Sequence, residues 1–327
     1  MVKIDVKDKK LLFELTQDCR QSDTQLAKKI GLSKNAVKYR TKRLVNEGVI
    51  TQFSTIINLD ALNICTAIVL FKFNADVYQE KEIINYFKNH FFTDWVELLS
   101  GNWDVLVEFV FSDLNKFERI MQEVHAYFGN NLNITRHFFS LDIIKVDHFI
   151  HEIYGEINTP LKTQQKKQKN KVSITKEEKQ LLSVLSKDAS QSFVALAQQL
   201  NSSVDIVRYH YKKLIDEGVL IQCLAEINPR KLGYEQYVTL LKLHNTEKES
   251  VQQLKQFVKQ QGNIIYAFVD MISSTLFLVS SFSSFENMDQ NTRIIRQQWR
   301  SIIKDQEYVH IKERVKFNLF PEGLSIV

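Results

Sequence analysis

Residues 37–44 read VKYRTKRL, and residues 207–214 read VRYHYKKL. The tripeptide Glu-Gly-Val follows shortly after each of these stretches. The match extends without a gap over residues 9–74 and 179–244, so the chain contains an internal duplication with an offset of about 170 residues. The two copies, called unit 1 and unit 2 below, are expected to fold in the same way.

The helical part of unit 1 lies in residues 5–48, whose apolar spacing predicts three helices. Ser22 can cap the second helix while Gln25 reaches back to it, and Gly31 suits a tight turn with a left-handed backbone. Ser33 is the predicted cap of the third helix. A helix, a second short helix, a glycine turn and a third helix are typical of a helix-turn-helix.

Beyond residue 48 the apolar pattern changes to that of strands. Residues 49–58 predict a strand or wing that leads out of the helical part. The following elements are predicted as strands at 67–74, 94–100, 103–111 and 133–147, with helices at 79–90 and 114–128. The order β-α-β-β-α-β is ferredoxin-like. Unit 2 repeats it from about residue 236 to about residue 318, and its last helix, near 285–304, is expected to be longer than its counterpart.

The predicted fold class is α+β, with two winged helix-turn-helix domains alternating with two ferredoxin-like βαββαβ domains. The predicted domains are a first helix-turn-helix at 1–58, a first ferredoxin-like domain at 59–153, a basic flexible linker at 154–172, a second helix-turn-helix at 173–228 and a second ferredoxin-like domain at 229–327. The linker is predicted from residues 159–171, which contain five lysines and no acid.

Several classes of protein are disfavoured by composition. The 327 residues carry a net charge of +5, and the three cysteines (Cys19, Cys65 and Cys223) are too far apart for a disulfide framework or a metal motif. No apolar run approaches the roughly 20 residues of a membrane helix, and the first residues do not resemble a signal peptide. Neither a phosphate loop nor a catalytic motif is recognisable. We therefore expect a cytoplasmic protein that is not an enzyme, with no cofactor, no metal and no membrane partner.

The third helix of unit 1 is the predicted DNA-reading element. With Val37 and Leu44 turned inward, its outer face is polar and basic. The predicted DNA-binding residues of unit 1 are Lys34, Asn35, Lys38, Tyr39, Lys42 and Arg43. Asparagine can pair with an adenine edge, while lysine and arginine bind guanine edges or phosphates. The alternative is an ordinary solvated cationic helix face, but the preceding helix, turn and caps favour DNA binding.

Unit 2 keeps part of this face. Its predicted DNA-binding residues are Arg208, Tyr209, Lys212 and Lys213. Asp205 and Asp216 replace the asparagines of unit 1, and Asn201, which tolerates a left-handed turn, replaces the glycine. Residues 5–48 contain 11 basic and 6 acidic side chains, whereas residues 175–218 contain 6 of each. Since phosphate neutralisation supplies much of DNA affinity, unit 1 is the expected main contact and unit 2 a weaker reader or a packing element.

The sequence resembles the leucine-responsive/asparagine regulator (Lrp/AsnC) family of transcription factors. The motifs that carry the resemblance are I-D-x-x-D at 4–8, L-A-x-x-x-G-L-S at 26–33, V-x-x-R-x-x-x-L at 37–44 and E-G-V-I at 47–50. The resemblance covers nearly all of residues 4–147 and, more weakly, residues 175–320. Members usually carry one such unit, whereas this chain is a tandem fusion of two.

The resemblance implies a regulator of double-stranded DNA that forms a homodimer or a higher homo-oligomer. It also implies that the ferredoxin-like (RAM-type) domain binds a small effector, often an amino acid, near a G-x-x-D turn. Gly101 and Asp104 are the matching residues of unit 1, and unit 2 has lost both. The alternative for Gly101 and Asp104 is a plain hairpin turn.

Two other functions remain open at this stage. The siroheme decarboxylases combine a helix-turn-helix with the same type of sheet domain. A resemblance to these enzymes would imply that the sheet domain carries His and Arg for an acidic tetrapyrrole substrate. Residues 94–111 contain neither, and His137 with Arg136 is isolated on the last predicted strand. The second alternative is a DNA-inactive protein that docks to a partner or has an architectural role; the basic face of unit 1 argues against it.

Overall fold

The computed structural model of the chain describes residues 1–74, 79–140, 142–147, 150–154, 171–244, 248–270 and 272–326. The helices in these residues are α1 (Val6–Gln17), α2 (Asp23–Ile30), α3 (Lys34–Asn46), α4 (Glu80–Asn89), α5 (Leu114–Phe128), α6 (His151–Tyr154), α7 (Lys176–Lys187), α8 (Phe193–Gln199), α9 (Val204–Asp216), α10 (Lys248–Gln260), α11 (Phe285–Gln298) and α12 (Glu322–Ile326). The strands are β1 (Ile50–Ile57), β2 (Cys65–Phe73), β3 (Thr93–Ser100), β4 (Val105–Phe111), β5 (Leu132–Phe139), β6 (Asp142–Val146), β7 (Leu220–Ile227), β8 (Glu235–Leu243), β9 (Ile264–Asp270), β10 (Thr275–Phe282) and β11 (Ile303–Phe317). Most of the predicted linker lies outside the described residues.

The caps and turns of both helical parts are as predicted. Ser22 accepts a hydrogen bond from the backbone N–H of Gln25, whose side chain accepts one from Ser22 in return. Gly31 has φ of +68° and joins α2 to α3, while Asn201 adopts φ of +49° at the same place in unit 2. The helix-turn-helix geometry is therefore present in both units, because asparagine tolerates the left-handed turn that glycine provides in unit 1.

The strand that follows each helical part joins the two units to each other. β1 and β7 pair antiparallel, with Ser54 opposite Leu224. On either side of this pair, the N–H of Cys19 donates to the carbonyl of Cys223, and the N–H of Ala189 donates to that of Phe53, both at 2.9 Å. In addition, α1 packs against β7 and α7 against β1. The two helical parts are thus held together by a pseudo-twofold arrangement of the kind that two subunits of a symmetric dimer would form.

The ferredoxin-like parts also combine. The larger sheet has nine strands in the order β5-β2-β4-β3-β11-β8-β10-β9-β6. Its first four strands belong to unit 1, while β11, β8, β10 and β9 belong to unit 2, and each set has the ferredoxin-like order. β11 is long enough to pair with β8 of its own unit and then with β3 of unit 1.

The prediction of one continuous strand at 133–147 is wrong. β5 pairs with β2 of its own unit. The chain then continues as β6, which pairs with β9 of unit 2. Ile144 in β6 is buried in the core of unit 2, beside Ala267 and Val269 of β9. Local apolar spacing predicts extended backbone here but carries no information on the strand's partner, so the exchange between units was not foreseen.

The prediction that the last helix of unit 2 is longer than its counterpart is also wrong. α11 has 14 residues and α5 has 15. The N–H groups of Ile302 and Ile303 donate to the carbonyl of Trp299, which closes a turn after α11. Because both isoleucines are buried in the core of unit 2, the chain enters β11 at this point instead of continuing the helix.

The molecule has a layered core. The inner faces of the unit 1 and unit 2 halves of the nine-stranded sheet pack on each other through residues that include Ile68, Leu70, Phe138, Phe268 and Phe277. Helices α4 and α5 cover the outer face in unit 1, and α10 and α11 do so in unit 2. Trp95 and Trp103 are buried in the same core. No helix of the described part of the chain has the length and apolar character needed to cross a membrane.

The proposed division into four domains is not decided by this architecture, and its boundaries stay a prediction. Short helices return the chain from the sheets to the helical parts. Ile153 and Tyr154 of α6 are buried against α1, and Phe320 with Leu324 of α12 is buried against α7. Each unit therefore begins and ends at its own helix-turn-helix.

Candidate DNA-binding face

The outer face of α3 is built by burying its opposite side. Val37 and Leu44 are fully buried in the core of the first helical part, as the helical wheel predicts. The residues of the predicted DNA-binding set that are exposed in the structure are Lys34, Asn35, Lys38, Tyr39 and Lys42. Tyr39 is 68% exposed, although it is a large aromatic side chain. A single exposed aromatic is normal on a protein surface, but here it stands among lysines on a helix that follows a helix-turn-helix turn.

The three lysines of this face are not neutralised. No described residue forms an ion pair or a hydrogen bond with the side chain of Lys34, Lys38 or Lys42. Ammonium groups at successive turns of one helix repel each other modestly and gain when a polyanion approaches. The face is therefore suited to phosphate and base contacts.

Arg43 occupies a different position from the one predicted by the wheel. Its Nη2 lies 2.5 Å from Oδ2 of Asp8, and Nη1 of Arg40 lies 2.7 Å from Oδ1 of the same carboxylate. Asp8 is 1% exposed, so the two arginines tie α3 to α1. The sequence contained a signal for this contact, because Asp8 shares a helix face with Leu11, Leu12 and Leu15.

Unit 2 has the same internal contact with other residues. Lys213 lies 2.8 Å and His210 3.1 Å from Oε1 of Glu178, which is fully buried in α7. Lys213, predicted as a DNA-binding residue, is consequently a partner of α7 like Arg43 in unit 1. In both units a buried acid of the first helix thus binds two basic side chains of the third helix. The positions of these residues are the same in the two units, but the residue types differ.

The outer face of α9 differs in charge. Arg208, Tyr209 and Lys212 are exposed as predicted, but so are Asp205 in the first turn and Asp216 in the last. The guanidinium of Arg208 lies 5.6 Å from the ring of Phe193. Two carboxylates on the same face would repel phosphates, so α9 is a poorer DNA-binding surface than α3.

The loop predicted to bind an effector has a structural role. Gly101 adopts φ of +123°, and Asp104 immediately precedes β4. One oxygen of Asp104 accepts from the N–H of Phe73 at 2.8 Å, and the other lies 3.2 Å from Nζ of Lys72. Both oxygens thus have donors on the neighbouring strand β2, which is compatible with the plain-turn alternative. Effector binding at Gly101 and Asp104 stays a prediction.

The two residues considered for a catalytic alternative are engaged with neighbours. Arg136 lies 3.0 Å from Glu307 of β11 and forms an ion pair with it. The ring of His137 packs edge-on against Phe117, and burial lowers the pKa of His137 below its usual value. The described residues contain no cluster of three or more His, Cys, Asp or Glu side chains arranged to hold a metal ion.

Comparisons with known proteins bear on this face. The family model described as winged helix-turn-helix DNA-binding matches residues 4–51 and 178–221, the helical parts of both units. An HTH-type transcriptional regulator of Pyrococcus horikoshii is 32% identical over 120 residues, which are 36% of this chain and 80% of that protein. The proline dehydrogenase transcriptional activator of Rhizobium radiobacter is 33% identical over 132 residues, with 37% of this chain and 78% of that protein covered. The chain belongs to the Lrp/AsnC family of transcriptional regulators.

Each of these relatives matches about a third of the length of this Lrp/AsnC chain, and the family model matches the helical parts of both units, as a tandem of two units requires. The solved structure of the siroheme decarboxylase NirDL aligns with 98% of this chain and 96% of that chain, with a TM-score of 0.64 and 13% identity. At this identity the similarity concerns the fold alone. It extends over both units, so the arrangement of the Lrp/AsnC tandem is also found in another solved protein.

Proposed function

We propose that the chain is a sequence-specific DNA-binding regulator of transcription in which α3 is the principal reader of double-stranded DNA. The observation that carries this proposal is the face of α3, where three lysines without ion-pair partners among the described residues flank Asn35 and Tyr39. Cationic side chains bind the phosphates, and the asparagine amide can hydrogen-bond to an adenine edge.

The proposal gives the two units unequal parts. α3 and α9 are held in one rigid pair by β1, β7 and the reciprocal backbone contacts. If α3 enters a major groove, α9 faces the same duplex, as in a dimer that reads two half-sites. Because Asp205 and Asp216 stand on its outer face, α9 contributes less affinity, and the expected binding site is asymmetric.

The proposal is tested by replacing matched pairs of exposed cations in the two units. Lys38 and Lys42 of α3 are equivalent to Arg208 and Lys212 of α9. A selection from random DNA at low and near-physiological salt first supplies the binding sequence. Lys38→Ala with Lys42→Ala is then expected to lower affinity for this sequence by about 100-fold, because each lysine neutralises phosphate or contacts a base. Fluorescence anisotropy with a labelled duplex measures the change.

The matched control is Arg208→Ala with Lys212→Ala, for which the expected loss is less than about tenfold. All four side chains are exposed, so the melting temperatures of both variants are expected to equal that of the unaltered protein. Arg43 is left unchanged because it holds α3 to α1 through Asp8. Equal losses in the two variants would contradict α3 as principal reader, and a selection that enriches no sequence would contradict specific binding.

The proposal also includes an effector, an oligomeric state and a cellular location. A small effector, such as an amino acid, is expected to modulate DNA binding. The sheet strands of the two units already pair with each other within this chain. Assembly of whole chains into a homodimer or higher oligomer, and a cytoplasmic location, stay predictions.

A further inference from the structure

A cavity of about 560 Å³ lies between the helical parts and the nine-stranded sheet. We call it the central cavity. Its walls come from α1, β1 and β7 on the helical side and from β3, β4, β6, β9 and β11 on the side of the sheets. Cavities of this size accommodate organic molecules larger than a single amino acid. The central cavity is separate from the Gly101–Asp104 turn, which is not among its lining residues.

Equivalent strands of the two units meet at this cavity. In unit 1 Thr93 pairs with Phe109 and Trp95 with Glu108, so Asp94 is the extra residue of a β-bulge. In unit 2 Ile264 pairs with Ser280 and Tyr266 with Val279, which makes Ile265 the extra residue. Both bulge residues and their neighbours line the central cavity. A bulge redirects a side chain that strict alternation would place on the opposite face.

The two bulges make opposite walls of different chemistry. Asp94, Trp95 and Glu108 come from unit 1, and their equivalents in unit 2 are Ile265, Tyr266 and Val279. The rings of Trp95 and Tyr266 meet edge-to-face at 5.7 Å. One wall is therefore acidic and the other apolar, with an aromatic pair between them. A symmetric dimer could not form such a cavity, because both of its walls would carry the same residues.

Within the described residues no cation forms an ion pair with the acidic wall, although the charge of Lys316 acts on Asp94. Asp94 is completely buried, and neither of its carboxylate oxygens accepts a hydrogen bond of normal geometry, although its own N–H and that of Trp95 lie close by. Glu108 is 6% exposed and accepts from the hydroxyl of Thr66. A buried carboxyl without a counter-ion costs free energy or stays protonated, so the site is built to gain from a positive charge.

The cations near the cavity are already engaged. Arg314 lies 2.8 Å from Glu97 and 3.5 Å from Glu226. Nζ of Lys316 donates to the carbonyl of His90 and to the hydroxyl of Thr93. His151 lies 3.1 Å from Asp147. These groups leave the carboxyls of Asp94 and Glu108 as the acceptors for a charge brought in by a ligand.

We propose that the central cavity binds an organic ammonium ion, with Asp94 and Glu108 as its counter-ions. The apolar body of the ligand packs against Ile265, Val279 and the aromatic pair. Trp95 and Tyr266 add a favourable contact, since ammonium groups are attracted to aromatic faces. This site is independent of the DNA-binding proposal, because binding to it can be measured without DNA.

Binding of an ammonium ion is expected to strengthen as the pH rises. Burial, followed by the nearby Glu108 carboxylate, raises the pKa of Asp94 well above its usual range, and burial raises the pKa of Glu108 to about 7. Lys316 on β11 and Tyr266 on β9 are the other titratable groups facing this pair. Burial lowers the pKa of Lys316 to about 8, so its charge favours ionised Asp94 only in part. The carboxyls lose protons when the ligand binds.

The test uses the full chain and three probes of one shape. Phenethylamine is the cation, 2-phenylethanol its neutral analogue and 3-phenylpropionate the anion. Isothermal titration calorimetry at about pH 8 is expected to show the amine binding about tenfold or more tightly than the alcohol, with no heat from the anion. At about pH 6 the amine is expected to bind more weakly, with an enthalpy that depends on the buffer because protons are released.

Asp94→Asn is expected to remove the preference for the amine while the affinity for the alcohol stays the same. Glu108→Gln serves as a second variant, with thermal unfolding to show that both fold. The matched control is Asp60→Asn, an exposed carboxyl at the margin of the same cavity, which is expected to retain the preference. Lack of amine binding, equal affinity for amine and alcohol, or a preference that survives both Asp94→Asn and Glu108→Gln would overturn the proposal.

Discussion

Glu108 is an ionisable residue in a strand whose other residues are all apolar. It is the acid in the strand VLVEFVF, and its position in β4 turns it toward the inner face of the sheet. Burial there raises the pKa of Glu108 to about 7. The folded protein therefore holds this proton more tightly than the unfolded chain does. The stability contributed by the protonated form is present below the unfolded pKa and is lost as the pH rises through about 7.

Replacing Glu108 by glutamine is expected to remove this loss. Between about pH 5 and about pH 8 the unaltered protein is expected to lose stability relative to Glu108→Gln by up to roughly 3 kcal/mol, the equivalent of a pKa displaced by about two units. Urea unfolding of both proteins at the two pH values measures the difference. Glu118→Gln, on the exposed face of α5, is the control. A difference between the proteins that does not change with pH would contradict the expectation.

Residue types predicted in part which side chains of α3 are exposed, whereas their contact with DNA stays a prediction. The exposed positions of Lys34, Lys38 and Lys42 follow from helical spacing, because it fixes which side chains share a face. Arg43 was misplaced, since a long side chain at the border of that face can turn to a buried acid on another helix. The direction of Asp94 could not be predicted, because a bulge interrupts the alternation from which strand faces are deduced.

At the level of elements, α3 and α9 are the same helix with different outer charges. Both begin at a serine cap, have 13 residues and are anchored by a buried acid of the first helix of their helical part. Asp205 and Asp216 are exposed and would face the phosphates if α9 approached DNA as α3 does. Their removal is therefore the most direct way to make the two helices alike.

Asp205→Asn with Asp216→Asn is expected to raise DNA affinity by roughly three- to tenfold and to steepen its dependence on salt, because fewer like charges oppose the phosphates. Titrations of a labelled duplex at several salt concentrations measure both effects. Asp305→Asn with Glu118→Gln, two exposed acids outside the helical parts, is the control that shares the change of two units in net charge without the location. If this control raised affinity equally, the effect would be one of net charge and α9 would not lie near DNA.

The elements themselves were more predictable than their partners. The limits of α5 and the caps of α2 and α3 follow from local sequence, because capping and helical periodicity act over a few residues. The division of the predicted last strand into β5 and β6 depends instead on β9, which lies more than a hundred residues away. Such pairing is decided by the packing of the whole molecule, and apolar spacing does not reveal it.

At the level of the whole molecule, the two units are complementary and not identical. Ser54 of β1 pairs with Leu224 of β7, which is the equivalent position in unit 2. In a symmetric dimer the same residue type would stand on both sides of this pair. The central cavity sets Asp94 and Glu108 opposite Ile265 and Val279. Pairing of unit 1 with itself would bring four buried carboxyls into one cavity, which is unfavourable.

We therefore expect the units to select each other when the chain is divided within residues 155–170. Co-expressed halves are expected to form a one-to-one heterodimer, with less than about a tenth of the material in homodimers of unit 1, since repulsion between buried acids costs more than about 1.4 kcal/mol. Native mass spectrometry measures the proportions. A control with Asp94→Asn and Glu108→Gln in unit 1 is expected to increase its homodimer. A statistical mixture from the unaltered halves would contradict this expectation.

The covalent connection between the paired helical parts also has a consequence for dosage. A regulator assembled from separate subunits is diluted into inactive halves when few copies are present, so its occupancy of a promoter rises steeply with copy number. In this chain α3 and α9 are made, paired and degraded together. Where one chain suffices for a site, occupancy then grows in simple proportion to expression at low copy number, giving a graded response in place of a threshold.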